Sequence, residues 1–156
     1  MTRLLALVSV LMLSGLSYAD HHAVSMEARQ PTSELDMTSI TVGEDFTVIN
    51  AETQTSVYGR VYMTFTLAYN AEGDGGTYTF QGRAYVDEET AVSGSGVGIW
   101  NRDGLNLSMQ QLINVSDGTI NFDKITLDPL KRTGTLDVYA SVSYTHLRAH
   151  ETREDR

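Results

Sequence analysis

From Val24 onward, apolar and polar residues alternate at every second position, and turn-favouring residues interrupt the alternation about every ten positions. Val24, Met26 and Ala28 alternate ahead of Pro31; Leu35 and Met37, then Ile40 and Val42, lead to Gly43; Phe46 and Val48 follow. A period of two is that of a β-strand, whose successive side chains point to opposite faces. The clearest strand covers residues 57–69. Val61, Met63, Phe65, Leu67 and Tyr69 share one face, and Tyr58, Arg60, Tyr62, Thr64 and Thr66 the other. Gly59 is placed to supply a bulge or bend that lets so long a strand curve. After the polar, glycine-rich loop 70–76, the next strand, 77–86, puts Tyr78, Phe80, Gly82, Ala84 and Val86 on one side.

Coincidence of the two apolar faces sets an expected register. Leu67 pairs with Phe80, Phe65 with Gly82 and Met63 with Ala84, while Tyr62 meets Tyr85 and Arg60 meets Asp87 on the other face. A two-residue slip is the rival; it forgoes the Arg60–Asp87 ion pair, an exposed contact worth only about 0–1 kcal/mol. Further on, Asp117-Gly118 suits the centre of a type I′ turn. That turn pairs Val115 with Ile120 and Ile113 with Phe122, and implies a bulge near Gln110-Gln111, where the apolar match fails against Lys124. An Asp103-Gly104 hairpin puts Trp100 beside Leu107 and Gly98 beside Met109. Asp128-Pro129 breaks the chain, and Gly134 precedes a last strand carrying Leu136, Val138 and Ala140. No stretch reads as a long helix. The pattern predicts an all-β domain, a single small antiparallel up-and-down β-barrel of about eight strands, with a two-sheet sandwich as the alternative. An interior filled entirely by Met63, Phe65, Phe80, Leu107, Ile113 and Phe122 would argue against a ligand pocket.

The two ends of the chain differ from this domain. Arg3, the apolar run 4–13 and Ser17-Tyr18-Ala19 have the layout of a secretory signal peptide over residues 1–19, too short in its apolar part to stay in a bilayer. A mature chain beginning near Asp20, periplasmic or extracellular, is the expectation. With no lipobox cysteine after the signal, stable membrane insertion is not expected. The string Val142-Ser143-Tyr144-Thr145-His146-Leu147-Arg148-Ala149-His150-Glu151-Thr152 resembles a translated transposase sequencing adapter. That resemblance implies that 142–156 is non-native sequence, and that His146, His150 and Glu151 imitate a helical metal pair without being one. Residues 20–141 remain as the domain, about 120 residues and enough for a real core. Setting both ends aside removes Glu151, Glu154 and Asp155 together with Arg3, Arg148, Arg153 and Arg156, which takes the formal charge from −9 to −10. So acidic a surface makes nucleic acid and anionic lipid poor partners. The chain has no cysteine, so packing and strand pairing must hold it together without disulfides.

Chemistry is scarce. Between Ala23 and Ala140 there is neither histidine nor cysteine, which removes serine triads and thiol nucleophiles and leaves carboxylate, tyrosine, arginine and lysine. Asp87-Glu88-Glu89 offers hard oxygens to Ca²⁺, but reads better as a solvated acidic loop. Glu72-Gly73-Asp74-Gly75-Gly76 lacks calcium-loop spacing and reads as a flexible turn. Gly94-Ser95-Gly96-Val97-Gly98 lacks the lysine and helix of a phosphate loop, so its glycines signal a bend or the close approach of a ring or strand. The ligand-binding candidates are Tyr62, Arg83, Tyr85 and Trp100. Tyr58, Tyr62, Tyr85, Arg60 and Arg83 share one face of the long hairpin; inward, it would suit a carboxylate or sugar, although charge alternation favours an outward face.

Cleavage after Ala19 would expose Asp20-His21-His22. The free amine, two backbone nitrogens and the third-residue imidazole can then form a square of nitrogens around Cu²⁺ or Ni²⁺. This resembles the amino-terminal copper and nickel motif of various exported proteins, and it makes Asp20, His21 and His22 the metal candidates. In general architecture the domain is similar to small secreted barrels of the lipocalin, allene oxide cyclase and dirigent kinds, an analogy without residue correspondence. The expected function is the binding of a small apolar or amphipathic ligand in a barrel mouth. The alternatives are a barrel cyclase or isomerase, and a structural or partner-binding domain without a pocket. Binding is favoured because the catalytic inventory is thin.

Overall fold

Nine antiparallel strands follow one another in a computed structural model that describes residues 25–142. They are β1 (Ser25–Ala28), β2 (Ser33–Val42), β3 (Phe46–Thr55), β4 (Gly59–Ala68), β5 (Gly75–Tyr85), β6 (Ala91–Asp103), β7 (Asn106–Val115), β8 (Ile120–Asp128) and β9 (Thr133–Val142). From β2 to β9 each strand pairs with the next, and β9 returns to β2, so eight strands close into an up-and-down barrel. Closure decides for the barrel and against the two-sheet sandwich. The extra strand β1 runs along the same edge of β9 as β2 does, and Pro31, which lacks an N–H, falls in the break between them. Among the described residues there is no helix. Residues 1–19, read from the sequence as a signal peptide, Asp20-His21-His22, and all of the expected tail 142–156 except Val142 lie outside the described residues.

The expected faces of β4 and β5 are those observed. Met63, Phe65, Leu67, Tyr78, Phe80 and Ala84 are buried, with Phe65 at 0% exposure. Ile49 and Leu35 from the strands before them, and Met109, Ile113, Ile125, Leu127 and Leu136 from those after, complete the core. On the inward side of β6 the alternate residues are Gly94, Gly96 and Gly98. A Cβ on Gly98 would stand 2.5 Å from Cζ of Tyr78, and one on Gly94 3.4 Å from Cε1 of Phe80. The glycines give the β5 rings their space.

Three registers differ from expectation, two because a turn has a different length and one, in the β6–β7 hairpin, because a two-residue turn sits one position further along. Leu67 faces Tyr78, Phe65 faces Phe80, Met63 faces Gly82 and Tyr62 faces Arg83, which is the two-residue rival. Asn70 is the cause. Its backbone N–H donates to Gly75 O (2.6 Å) and its Oδ1 accepts from the backbone N–H groups of Asp74 and Gly75, closing the loop earlier. Phe65 then lies 5.5 Å, centroid to centroid, from Phe80 and 6.0 Å from Tyr78. Arg60 finds Glu52 on β3 at 2.7 Å in place of Asp87. In the β6–β7 hairpin, Gly104 (φ 63°) and Leu105 form a two-residue loop, which moves Trp100 opposite Met109 and Gly98 opposite Gln111.

The third difference has the largest effect. Gly118 is left-handed (φ 88°) but Asp117 is not, so the type I′ turn does not form. The N–H of Gly118 donates to Val115 O and that of Val115 to Thr119 O, a three-residue loop with its glycine in the last position. One extra loop residue slides β8 by one place. Ile113 now faces Asn121, Leu112 faces Phe122 and Gln111 faces Asp123, without any bulge. A one-residue slide exchanges a strand's faces. Phe122 therefore leaves the interior and sits half-buried on the outer wall, while Asn121 and Asp123 enter.

Truncation of the fully buried Phe65 ring, which packs on Tyr78 and Phe80, should be costly: Phe65→Ala is expected to lower stability by about 3–5 kcal/mol in urea denaturation. Tyr62→Ala on the outer wall should cost under about 1 kcal/mol.

Candidate functional site

At one end of the barrel lie the turn between β3 and β4, the loop between β5 and β6, and the β7–β8 hairpin. Beneath them is a cavity of about 60 Å³, walled by Met63, Phe80, Ala84, Val92, Ile113 and Val138, with Tyr58, Asn121 and Asp123 as its polar members. Such a volume holds a few water-sized groups. Gly82, Ala84 and Gly94 are also among its lining residues, with the Phe80 ring set against both glycines.

The polar members are linked. Tyr58, expected on the outer face of a longer β4, lies instead in the turn before it, where its N–H donates to Thr55 Oγ1 at 2.9 Å. Its hydroxyl crosses the mouth to accept from Asn121 Nδ2 at 3.1 Å and to meet Thr119 Oγ1 at 3.3 Å. Deeper in, Gln111 Nε2 donates to Asp123 Oδ2 at 3.2 Å. Gln111, Asn121 and Asp123 are 2, 3 and 4% exposed. Even so, Asn121 Oδ1 and Asp123 Oδ1 on the cavity wall, and Gln111 Oε1, the Tyr78 hydroxyl and Arg29 Nε away from it, are buried with no hydrogen-bond partner among the described residues. Buried polar atoms are nearly always paired, so a group of orphans marks a place where something else belongs.

Burial disfavours charge on Asp123 and raises its carboxyl to about 7, against the smaller opposing pulls of the Gln111 hydrogen bond and the Arg29 charge. The Tyr78 phenol is pushed above its usual value, first by burial and then by the negative charge of Asp123. A carboxyl that titrates near neutrality inside a cavity has the character of a functional group.

Of the candidates read from the sequence, Arg83 is among the residues that line the cavity, and Tyr62, Tyr85 and Trp100 are not. Tyr62 and Tyr85 are 47 and 53% exposed on the outer wall, in edge-on contact at 6.1 Å, and exposed Arg83 faces Tyr62 across the ladder. Arg83 also reaches the rim of the cavity. Trp100 is inside, at the opposite end, with its Nε1 donating to Ala68 O at 2.9 Å and its ring against Tyr69. The structure thus brings Tyr62, Arg83 and Tyr85 together and separates them from Trp100. Asp87 is occupied in building a turn, its Oδ1 accepting from the N–H groups of Glu89 and Thr90. Among the described residues no three His, Cys, Asp or Glu side chains gather as a metal site. Sequence reasoning grouped Tyr58 with Tyr62, Tyr85, Arg60 and Arg83 on a face favoured as outward, and it missed Gln111, Asn121 and Asp123. Their one trace was the failed apolar match at Gln111. No known family, curated protein or solved structure matches this chain.

The raised carboxyl carries a stability signature. Unfolded, Asp123 ionises near about 4, whereas folded it holds its proton to about 7, so folding is favoured below the first value and loses ground up to the second. Stability should fall by on the order of 1 kcal/mol per pH unit between those limits and level off above them. Denaturation of Asp123→Asn should show that slope removed and the protein more stable than wild type at pH 8.

Proposed function

We propose that this protein is an exported β-barrel that binds a small ligand, the ligand entering between the Tyr58 turn and the β7–β8 hairpin. The observation that carries the reading is the end cavity itself, apolar on most sides yet bordered by buried polar groups that lack partners. Binding pockets combine these two features, an apolar wall for affinity and a few polar groups for orientation. A barrel that served only as structure would gain stability by filling the space and replacing Asp123. The acidic surface fits a small-molecule partner better than nucleic acid.

One observation favours a second reading, a barrel isomerase or cyclase. Asp123, titrating near 7 within electrostatic reach of Tyr78, is placed to take a proton from a bound molecule and return it. Turnover of the retained molecule would mark the enzyme. Unchanged release would mark the binder.

Native mass spectrometry of the protein purified from an exporting host is expected to show a retained small-molecule adduct. Ala84→Leu, which fills the cavity, should lose it while remaining folded. An adduct-free spectrum, with no stabilisation of the wild type by small amphiphiles, would end the proposal.

We also propose that cleavage after Ala19 lets Asp20-His21-His22 chelate Cu²⁺ or Ni²⁺. Titration of the correctly cleaved chain with Cu²⁺ should produce a visible absorption band that His22→Ala removes.

A further inference from the structure

We propose that the outer wall of β3, β4 and β5 holds a shallow binding site for a neutral saccharide of two or three units, which rests on the Tyr62 ring and hydrogen-bonds to Asn50, Thr64, Gln81 and Arg83. These five residues and Thr38 are among those that line a groove of about 460 Å³ on the outside of the barrel. Small-ligand sites span roughly 300–1,000 Å³. Asn50 and Thr64 are half-buried in its floor, while Gln81, Arg83 and Tyr62 are exposed. The site lies beyond the end-cavity reading and stands or falls without it.

The chemistry of the wall selects the ligand. Ser39, Asn50, Thr64, Gln81 and Ser95 are ladder partners in turn from β2 to β6, an unbroken row of uncharged hydroxyl and amide groups. Adjacent strands lie about 4.8 Å apart, close to the length of one hexose unit, so successive sugars meet successive strands. The row is fixed at its centre, where Thr64 Oγ1 donates to Asn50 Oδ1 at 2.7 Å and Asn50 Nδ2 donates to Ser39 Oγ at 2.8 Å. Each of these groups keeps a further donor or acceptor for a ligand. Arg83 has donors to spare, since among the described residues its guanidinium donates only to Gly82 O, at 3.4 Å. Tyr62 supplies the apolar surface. Its ring is in edge-on contact with Tyr85 at 6.1 Å and lies 5.9 Å below the Arg60 guanidinium, which is itself tied to Glu52 at 2.7 Å. A ring braced in this way has little freedom left to lose on binding. A sugar presents both surfaces that such a wall needs, C–H groups for the ring and hydroxyls that donate and accept for the row. An apolar ligand would strand the polar row. A polyanion would meet a chain of formal charge −9 and, just beyond β5, the Asp87-Glu88-Glu89 loop.

Nitrogen-15 NMR titration of the full chain with cellotriose, maltotriose and trigalacturonate tests this, on wild type, Tyr62→Ala, Gln81→Ala and Ala84→Leu, each variant's own spectrum reporting that it is folded. At least one of the two neutral trisaccharides should bind, with shifts centred on Asn50, Thr64, Gln81 and Arg83. Tyr62→Ala should weaken that binding by about three- to tenfold, and Gln81→Ala by about threefold. Ala84→Leu, which fills the end cavity, should bind as the wild type does. Trigalacturonate should bind on the order of tenfold more weakly than the neutral sugar. Failure of both neutral sugars to shift those residues, or affinity unchanged in both Tyr62→Ala and Gln81→Ala, overturns the site, and leaves the end cavity untouched. Loss of binding in Ala84→Leu moves the sugar to the end cavity and overturns the outer site, and trigalacturonate binding as tightly as the neutral sugars overturns the ligand class.

Discussion

The position of one hairpin relative to its partner governs the character of the barrel's interior. Because Gly118 alone adopts the left-handed conformation, the β7–β8 loop holds three residues, and β8 pairs one place away from where a two-residue turn would set it. Side chains alternate with period two, so the slide turns a whole strand over. Ile125 and Leu127 become fully buried, and Asn121 and Asp123 accompany them inward. The polar end of the cavity is the cost of burying the apolar end of the same strand.

That cost falls where the barrel tolerates it. At the Trp100 end, the indole nitrogen is bonded to Ala68 and the ring rests on Tyr69, so the interior is packed and its polar atom satisfied. At the Asp123 end a small cavity remains, and Asn121 Oδ1 and Asp123 Oδ1 on its wall have no partner among the described residues. Native proteins that break the rules of packing and polar pairing tend to do so at functional sites, and pay in stability elsewhere. The two ends of one continuous sheet therefore divide the work. One supplies rigidity through rings and aliphatic side chains, and the other holds a titratable group in an environment of low polarity.

Much of the architecture was legible before any coordinates. Alternation from residue 57 to 86 assigned Phe65 and Phe80 to the interior and Tyr62 and Tyr85 to the outer wall, and turns at regular spacing led to a closed up-and-down barrel. The site was not legible in the same way. Tyr58 looked like part of β4 because it shares the parity of Tyr62, yet the chain turns before Gly59, whose Cβ would stand 2.2 Å from Tyr85 O. Gln111 showed only as a mismatch, read as a bulge, when it was half of a polar pair.

Residue order by itself determined that strands form, which side chains share a face, and that hairpins link neighbours, since each of these follows from local alternation and turn chemistry. It did not determine the faces of β8, where Ile120 and Phe122 have one parity and Ile125 and Leu127 the other. Either face offers two large apolar residues, so alternation is silent about which turns inward. The choice came from the conformation of the Gly118 loop and the fit of Ile125 and Leu127 against Met109 and Leu107, whose ladder partners they are. Only the closed barrel assembles those contacts, and only there does Asp123 leave water.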